Sequence, residues 1–121
     1  IVRDAALTGP NGIIEAYGEL FMVAYGGNGV FKLGRDGTFE VIAQAPMGGL
    51  DGLVTLPSRQ FAFSSWEAKT VFVMDAEHNI TPLFEDLESP ADIGYDGLRD
   101  LMLVPLFMLD KVVAMPVGTG C

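Results

Sequence analysis

The sequence has very few of the residues that form disulfide bonds or structural metal sites in small domains. Its 121 residues include one cysteine, one histidine and one tryptophan. A single thiol, Cys121, cannot form an internal disulfide, so we expect it to be free. A structural zinc site is also excluded, because such sites need a set of Cys and His ligands.

The chain is also poor in basic residues and in long apolar segments. Lys and Arg number 7 against 16 Asp and Glu, which gives a net charge of −9. This charge repels phosphate, so we expect no nucleic-acid partner. The longest apolar run, Leu101 to Leu109, is broken by Pro105 and is too short to cross a bilayer, so we expect no membrane partner. The chain begins at Ile1 without methionine, and no signal peptide is visible in it. The lack of a visible signal peptide slightly favours a cytoplasmic location.

A short motif occurs three times along the chain. Pro10-Asn11-Gly12-Ile13 recurs as Leu50-Asp51-Gly52-Leu53 and more loosely as Pro90-Ala91-Asp92-Ile93. With Asn11, Asp51 and Asp92 as anchors, the spacings are 40 and 41 residues. A large apolar residue follows each anchor by ten positions, namely Phe21, Phe61 and Met102. Regular spacing of this kind indicates a repeat architecture.

Each repeat consists of short strand-forming runs separated by turn residues, four runs in the first two repeats and three in the last. The 15 glycines and 7 prolines interrupt any candidate helix. Four short strands in about forty residues are typical of a β-propeller blade, and the matched offsets disfavour a plain β-sandwich. The sequence therefore predicts an all-β protein, one domain over 1–121, with three blades of antiparallel strands at about 7–49, 50–90 and 91–117.

The missing fourth strand of the third repeat has a candidate replacement at the start of the chain. Residues 1–4 precede the first anchor in the register of a blade's fourth strand, so we expect them to be a displaced outer strand. Three blades form an open arc, whereas propellers hold about four to eight blades. We therefore expect a homodimer that closes one six-bladed ring, with Ile1–Arg3 of one chain beside Lys111–Met115 of the other.

These motifs resemble a known family. Pro10–Ile13, Leu50–Leu53 with Phe63–Trp66, and Pro90–Asp96 with Leu103–Phe107 are similar to segments of the senescence-marker-protein/gluconolactonase/luciferin-regenerating-enzyme family. The resemblance covers nearly the whole chain, although family chains are about twice as long. It implies a six-bladed propeller with a divalent cation in the central channel, and lactone hydrolysis in several members.

The resemblance also implies two cation ligands, because the family uses an Asn and an Asp in motifs like Asn11-Gly12 and Asp51-Gly52. The family's further glutamate ligand has no counterpart here. The repeat places all three anchors in loops at one mouth of the ring, which adds Asp92 to the metal set. Converging oxygen ligands favour a hard cation, Ca²⁺ first. Asp51 is also the candidate catalytic residue, as a base that activates water.

Residues near the anchors on the same mouth are candidates for binding a small molecule: Tyr25, Asn28, Trp66 and Phe107. Three functions stay open. The first is a scaffold that binds a cation or small ligand, the second a metal-dependent lactone or ester hydrolase, and the third an interaction module without metal. Asn and Asp before Gly are also ordinary turn formers, which supports the third alternative. The absent glutamate favours binding over hydrolysis.

Overall fold

A computed structural model describes residues 2–118 of the chain; Ile1 and the last three residues, including Cys121, lie outside the described part. The described residues form eleven strands and two single-turn 3-10 helices, Ala5–Leu7 and Phe107–Leu109. The strands are β1 (Pro10–Ala16), β2 (Glu19–Ala24), β3 (Gly29–Leu33), β4 (Phe39–Gln44), β5 (Leu50–Leu56), β6 (Gln60–Ser65), β7 (Thr70–Met74), β8 (Ile80–Phe84), β9 (Gly94–Asp96), β10 (Leu101–Leu106) and β11 (Lys111–Pro116). The prediction of an all-β protein is confirmed.

The strands form three antiparallel sheets, each made of consecutive strands. Two sheets have four strands, in the orders β1-β2-β3-β4 and β5-β6-β7-β8, and the third has three, in the order β11-β10-β9. Each sheet is one blade, and β1, β5 and β9 are the first strands of the three. The predicted pattern of four, four and three strands is thus the observed one.

The core lies between the blades, because both faces of the middle sheet are apolar. Phe21 of blade 1 meets Phe61 of blade 2, with ring centroids 4.7 Å apart, in the cluster that joins these two blades. A second cluster joins blade 2 to blade 3 through residues such as Val71 and Met102. Burial of these side chains is the main stabilising contribution to the arc.

The repeat register differs from the sequence prediction by one residue after the first hairpin. The β1–β2 turn has two residues, whereas the β5–β6 turn has three, Pro57–Arg59. The strand bounds therefore place Leu20, not Phe21, at the repeat position of Phe61. Phe21 and Phe61 point to opposite sides of their own blades and meet each other, so their assignment as equivalent residues was wrong.

The N-terminal segment forms no strand within the described chain. Asp4 has an extended backbone, and its carboxylate accepts a hydrogen bond of 2.8 Å from the N–H of Ala6. Val2 packs against a third cluster on the free face of blade 1, which contains Leu7, Met22 and Phe31. The strand expected to pair with the N-terminal segment, Lys111–Met115, belongs to a second chain. The displaced outer strand and the homodimer therefore stay predictions. No helix in residues 2–118 is long and apolar enough to span a membrane.

Two anchor glycines allow a close approach between the blades. A Cβ on Gly12 would lie 2.4 Å from the carbonyl oxygen of Asp51, and a Cβ on Gly52 would lie 2.4 Å from the nitrogen of Ile93. Real Cβ atoms do not approach backbone this closely, so both positions require glycine. The first strands of neighbouring blades therefore touch backbone to backbone at the anchors.

Replacing Gly52 by alanine should destabilise the chain by about 1–3 kcal/mol or more, because the methyl group would force the Ile93 backbone away. Gly97→Ala is the matched control, since its Cβ would make only ordinary contact with the Tyr95 ring, at 3.6 Å. We expect the control to stay within about 0.5 kcal/mol of the native chain in urea unfolding. Equal midpoints for both variants would contradict the close approach.

Candidate functional site

The same mouth geometry is repeated in all three blades. A residue with positive φ precedes each motif by one position: Gly9 at 75°, Gly49 at 68° and Ser89 at 47°. Its carbonyl accepts a hydrogen bond from the first residue after the second strand of the same blade. The donors are the N–H groups of Tyr25, Trp66 and Phe107, at 2.8, 2.9 and 3.0 Å respectively. These three aromatic residues, spaced by 41, therefore occupy one repeat position.

The three aromatic side chains form a continuous row across the mouth. The Tyr25 and Trp66 ring centroids lie 6.0 Å apart in an edge-to-face contact, and those of Trp66 and Phe107 lie 5.6 Å apart. Tyr25 and Phe107 are exposed, and Trp66 is half-buried between them. The aromatic row, defined as these three residues, thus presents one apolar surface to solvent at the mouth. The structure brings together three of the four predicted ligand-binding residues.

Asn28, the fourth predicted ligand-binding residue, is used differently. Its side-chain amide donates a 2.8 Å hydrogen bond to the carbonyl of Ala45, in the linker from blade 1 to blade 2. The N–H of Ala45 donates in return to the carbonyl of Asn28, also at 2.8 Å. The contacts of Asn28 therefore fasten the linker to the segment between β2 and β3.

Asp51 lies directly beside the aromatic row. Its carboxylate accepts a 2.9 Å hydrogen bond from the Trp66 indole N–H, which fixes the orientation of both side chains. Burial raises the pKa of Asp51, hydrogen bonds from Trp66 and Asn11 oppose that shift, and the negative charge of Asp92 adds to it. The net pKa is above the ordinary value for aspartate. The carboxylate is thus held in place at some electrostatic cost.

The three anchors are neighbours in space but are not equivalent in the structure. Asn11 and Asp51 lie in β1 and β5, and Asp92 lies in the loop before β9, so the prediction that all three lie in loops was wrong for the first two. The Asn11 amide donates a 3.3 Å hydrogen bond to the carbonyl of Leu50, just before Asp51. Leu50 pairs with Ser65 as Pro90 pairs with Leu106, so Ala91 is the repeat counterpart of Asp51. Asp92 therefore stands one place further along, at the position of Gly52, where it is exposed.

A buried pair of serines supports the mouth, and the sequence prediction missed it. The Ser64 hydroxyl accepts a 2.9 Å hydrogen bond from the Gly52 N–H and donates at 2.6 Å to the Ala91 carbonyl, linking blades 2 and 3. The Ser65 hydroxyl donates at 2.7 Å to the carbonyl of Gly48. The signal in the sequence is the polar pair Ser64-Ser65 inside the otherwise apolar run that ends at Trp66. Such buried hydroxyls need partners, and here the partners are backbone groups of β5 and of the segments that precede β5 and β9.

Among residues 2–118, no group of three or more His, Cys, Asp and Glu side chains is arranged to hold a metal ion. One chain brings two carboxylates and one amide toward the mouth, those of Asp51, Asp92 and Asn11. Calcium takes six to eight oxygen ligands in general. The described residues therefore provide part of a cation site, and the predicted set stays a prediction.

A further groove lies away from this mouth. It has a volume of about 640 Å³ and lies at the opposite edge of blades 1 and 2, beside the β7–β8 hairpin that contains His78. Its walls carry charges of both signs, including those of Lys32, Glu19 and Arg59. Three blades form only an arc, so the mouth is an open surface rather than an enclosed cavity.

Comparison with known proteins shows a shared fold. No family model matches the chain, and no curated protein sequence matches it. The virginiamycin B lyase of Staphylococcus aureus superposes with a TM-score of 0.63 at 14% identity, covering 93% of this chain and 43% of the lyase. A streptogramin B lyase superposes with a TM-score of 0.61 at 18% identity, covering 89% of this chain and 40% of its own.

An auxiliary nutrient-binding protein from Bacteroides thetaiotaomicron superposes with a TM-score of 0.66 at 14% identity, covering 88% of this chain and 31% of that protein. This chain therefore spans less than half the length of each of these proteins. Identities this low show the fold alone. With the blades and the mouth described above, the similarity defines the chain as a three-bladed β-propeller segment.

Asp51→Asn should stabilise the chain at neutral pH. A pKa raised in the folded state means that folding favours the protonated carboxyl. That contribution is fully present below the ordinary pKa of aspartate and is lost as the pH rises through the raised pKa. The asparagine side chain can still accept the Trp66 hydrogen bond and carries no charge. Thermal unfolding should therefore show a higher Tm than the native chain at pH 7, with the difference vanishing near pH 4.

Asp96→Asn is a control in which the expected change in Tm has the opposite sign. A hydrogen bond from Arg99 lowers the pKa of Asp96 below its ordinary value. Its contribution is therefore present at neutral pH and is lost on acidification through the lowered pKa. The Asp96→Asn variant should have a lower Tm than the native chain at pH 7. Loss of stability in Asp51→Asn at pH 7 would contradict the electrostatic account of the mouth.

Proposed function

We propose that this propeller segment binds a small ring-bearing molecule at the mouth formed by the aromatic row and Asp51. The observation that carries the proposal is the row itself. Tyr25, Trp66 and Phe107 occupy one repeat position and lie in contact with one another, with their outer surfaces open to solvent. Aromatic faces of this kind stack on flat apolar surfaces of ligands.

The chemistry of the preferred ligand is indicated by Asp51. Its oriented carboxylate accepts hydrogen bonds, so a hydroxyl or ammonium group on the ligand is the complementary donor. The net charge of −9 and the nearby carboxylate of Asp92 disfavour anions. Sugar rings and aromatic amines combine a stackable face with such donors. These two compound classes are therefore the first candidates.

The electrostatic cost of Asp51 supports a functional role. A carboxylate whose pKa is raised by burial and by a second carboxylate does not contribute to folding at neutral pH. Binding sites often retain groups that reduce stability, because the ligand supplies the missing partner. A donor from a ligand or a cation would supply such a partner to Asp51.

A divalent cation, Ca²⁺ first, is the second candidate ligand. The favouring observation is that Asp51 is close enough to Asp92 for its pKa to respond to that charge. Asn11 lies beside them, with its amide nitrogen turned to Leu50. These are the residues that would hold the ion, together with further oxygen ligands beyond these three side chains.

Hydrolase and lyase activities are less well supported than binding. A catalytically inactive variant of the S. aureus lyase, determined with quinupristin, has a histidine replaced by alanine. The single histidine of this chain, His78, follows the end of β7, whereas Trp66 precedes its start, so His78 is at the opposite edge. Asp51 stays the candidate base for the gluconolactonase-type reaction implied by the family resemblance. We expect weak or absent turnover of simple sugar lactones.

The only tryptophan of the chain, Trp66, makes intrinsic fluorescence a direct reporter of the mouth. Titration with methyl β-glucoside, glucono-δ-lactone and benzylamine should change the Trp66 emission for at least one probe. Tyr25→Ala and Phe107→Ala should each weaken that binding about five- to tenfold, through loss of stacking. Leu98→Ala, an exposed apolar change in the β9–β10 turn, should leave the affinity unchanged.

No emission change with any of the three probes, or equal weakening by Leu98→Ala, would argue against a stacking site. Proton release from glucono-δ-lactone, followed in parallel, separates binding from hydrolysis. Turnover that is lost in Asp51→Asn would establish the hydrolase alternative and overturn our expectation of weak activity.

Calcium titration tests the second candidate ligand, Ca²⁺, separately from the small-molecule probes. If the mouth binds Ca²⁺, isothermal titration calorimetry should show a saturable signal that is at least about tenfold weaker in Asp51→Asn, since a carboxylate ligand is lost. Glu77→Gln removes the same charge from the exposed β7–β8 hairpin and should leave the signal unchanged. Equal affinities in the native chain and Asp51→Asn would exclude Asp51 as a ligand.

A further inference from the structure

The groove at the edge opposite to the aromatic row has no role in the proposed function. It has a volume of about 640 Å³, which is large enough for a small organic molecule. We call it the hairpin groove, and its walls include Tyr17, Lys32, Arg59 and Phe61. All of its lining residues belong to blades 1 and 2, so it lies at an inner junction of the arc and not on an end face.

The hairpin groove has an aromatic surface at the junction of its two blades. The ring centroids of Phe21 and Phe61 lie 4.7 Å apart, and the Tyr17 ring meets Phe61 edge to face at 6.2 Å. Phe21 and Phe61 are buried, whereas Tyr17 and Val41 are each 47% exposed in the groove. The apolar part of a ligand can therefore pack here against aromatic and aliphatic side chains.

Arg59 supplies an unmatched positive charge on the blade 2 side of the groove. Its guanidinium lies over the Tyr17 ring, 4.4 Å from the centroid. Among residues 2–118, no carboxylate lies within ion-pair distance of Arg59. Stacking on the ring occupies one face of the guanidinium and leaves its in-plane N–H groups available. Such N–H groups bind a carboxylate in a bidentate manner.

The backbone holds Tyr17 and Arg59 in unusual conformations. Their φ angles are 54° and 57°, in the β1–β2 and β5–β6 turns respectively. Such left-handed positions in hairpin turns favour glycine and asparagine and are costly for bulky side chains. Strain of this kind is often found where a site requires a particular side-chain position. Here it accompanies a contact between two side chains from different blades, at the rim of the groove.

The blade 1 side of the groove carries an excess of negative charge. The Lys32 ammonium lies 3.4 Å from the Glu19 carboxylate and 3.5 Å from that of Glu40, so one positive charge faces two negative ones. A third carboxylate, that of Asp75, already accepts three hydrogen bonds within its own hairpin. The groove therefore presents a positive charge at Arg59 and a net negative charge at the opposite wall.

We propose that the hairpin groove binds a free amino acid with an aromatic side chain. Its carboxylate pairs with Arg59, its ammonium pairs with Glu19 and Glu40 beside Lys32, and its ring packs on the aromatic surface between the blades. An amino acid of this kind has no net charge at neutral pH, so the net charge of −9 does not repel it. This site is separate from the mouth and does not rest on the function proposed there.

Isothermal titration calorimetry with phenylalanine tests the site directly. We expect saturable binding that is about tenfold weaker or more in Arg59→Gln and in Glu19→Gln, because each variant loses one charged partner. Arg3→Gln and Glu85→Gln make the same charge changes at exposed residues outside the groove and should leave the affinity unchanged. Arg59 and Glu19 are also exposed, so the fold should survive, as circular dichroism can verify. Absence of saturable binding, or equal weakening by the control variants, would overturn the proposal.

Two derivatives of the ligand test the recognition of both charges. N-acetylphenylalanine lacks the ammonium group and phenylalaninamide lacks the carboxylate, so each should bind about tenfold more weakly than phenylalanine. Tyr25→Ala, at the mouth, should not change the affinity for phenylalanine. Binding that is lost in Tyr25→Ala and retained by phenylalaninamide would assign the ligand to the mouth and overturn the groove site. Failure of the mouth probes would leave the Arg59→Gln result unaffected, so the two proposals can fail separately.

Discussion

Packing of blade against blade is the interaction on which the rest of this structure depends. Each sheet has only three or four short strands, and a sheet of that size is not stable alone. The middle blade is apolar on both faces and buries one against each neighbour. The order of the blades, the backbone contact at Gly12 and Gly52 and the position of the mouth all follow from this stacking.

Much of the fold could be predicted from the sequence, because blades are regular and their period is long. The recurring motif and the glycine-rich turns were sufficient for the number of blades and for nearly every strand. The one-residue register error had a physical origin. Counting from the anchors assumes that hairpin turns have equal length, and the Pro57–Arg59 turn is one residue longer than its counterpart at Tyr17-Gly18. Side chains alternate between the two faces of a strand. A register shift of one residue therefore places Phe21 on the opposite face of its blade from the predicted one.

The candidate site was predictable in its location and less so in its details. The repeat alone placed Tyr25, Trp66 and Phe107 on one mouth. It could not show that their rings touch, because contact depends on the twist between blades and on rotamers. Strand pairing shows that the repeat counterpart of Asp51 is Ala91. The sequence comparison chose the neighbouring residue, Asp92, because its side chain is acidic. Ser64 and Ser65 were overlooked because serine in a strand is usually a surface residue, whereas here both hydroxyls are buried and hydrogen-bonded to the backbone at Gly52 and Gly48.

The unequal turns have a consequence for how such a chain can change. The extra residue of Pro57–Arg59 lies beyond the last paired residues of β5 and β6, where it alters neither the hydrogen bonds of the blade nor the anchors at the far end of the same strands. Insertions at that edge are therefore absorbed locally, while the mouth at the other edge is constrained by glycine contacts and buried serines. The two edges of the arc can consequently diverge at different rates. The hairpin edge can acquire new loops. At the mouth the backbone is fixed, so only the exposed side chains can change.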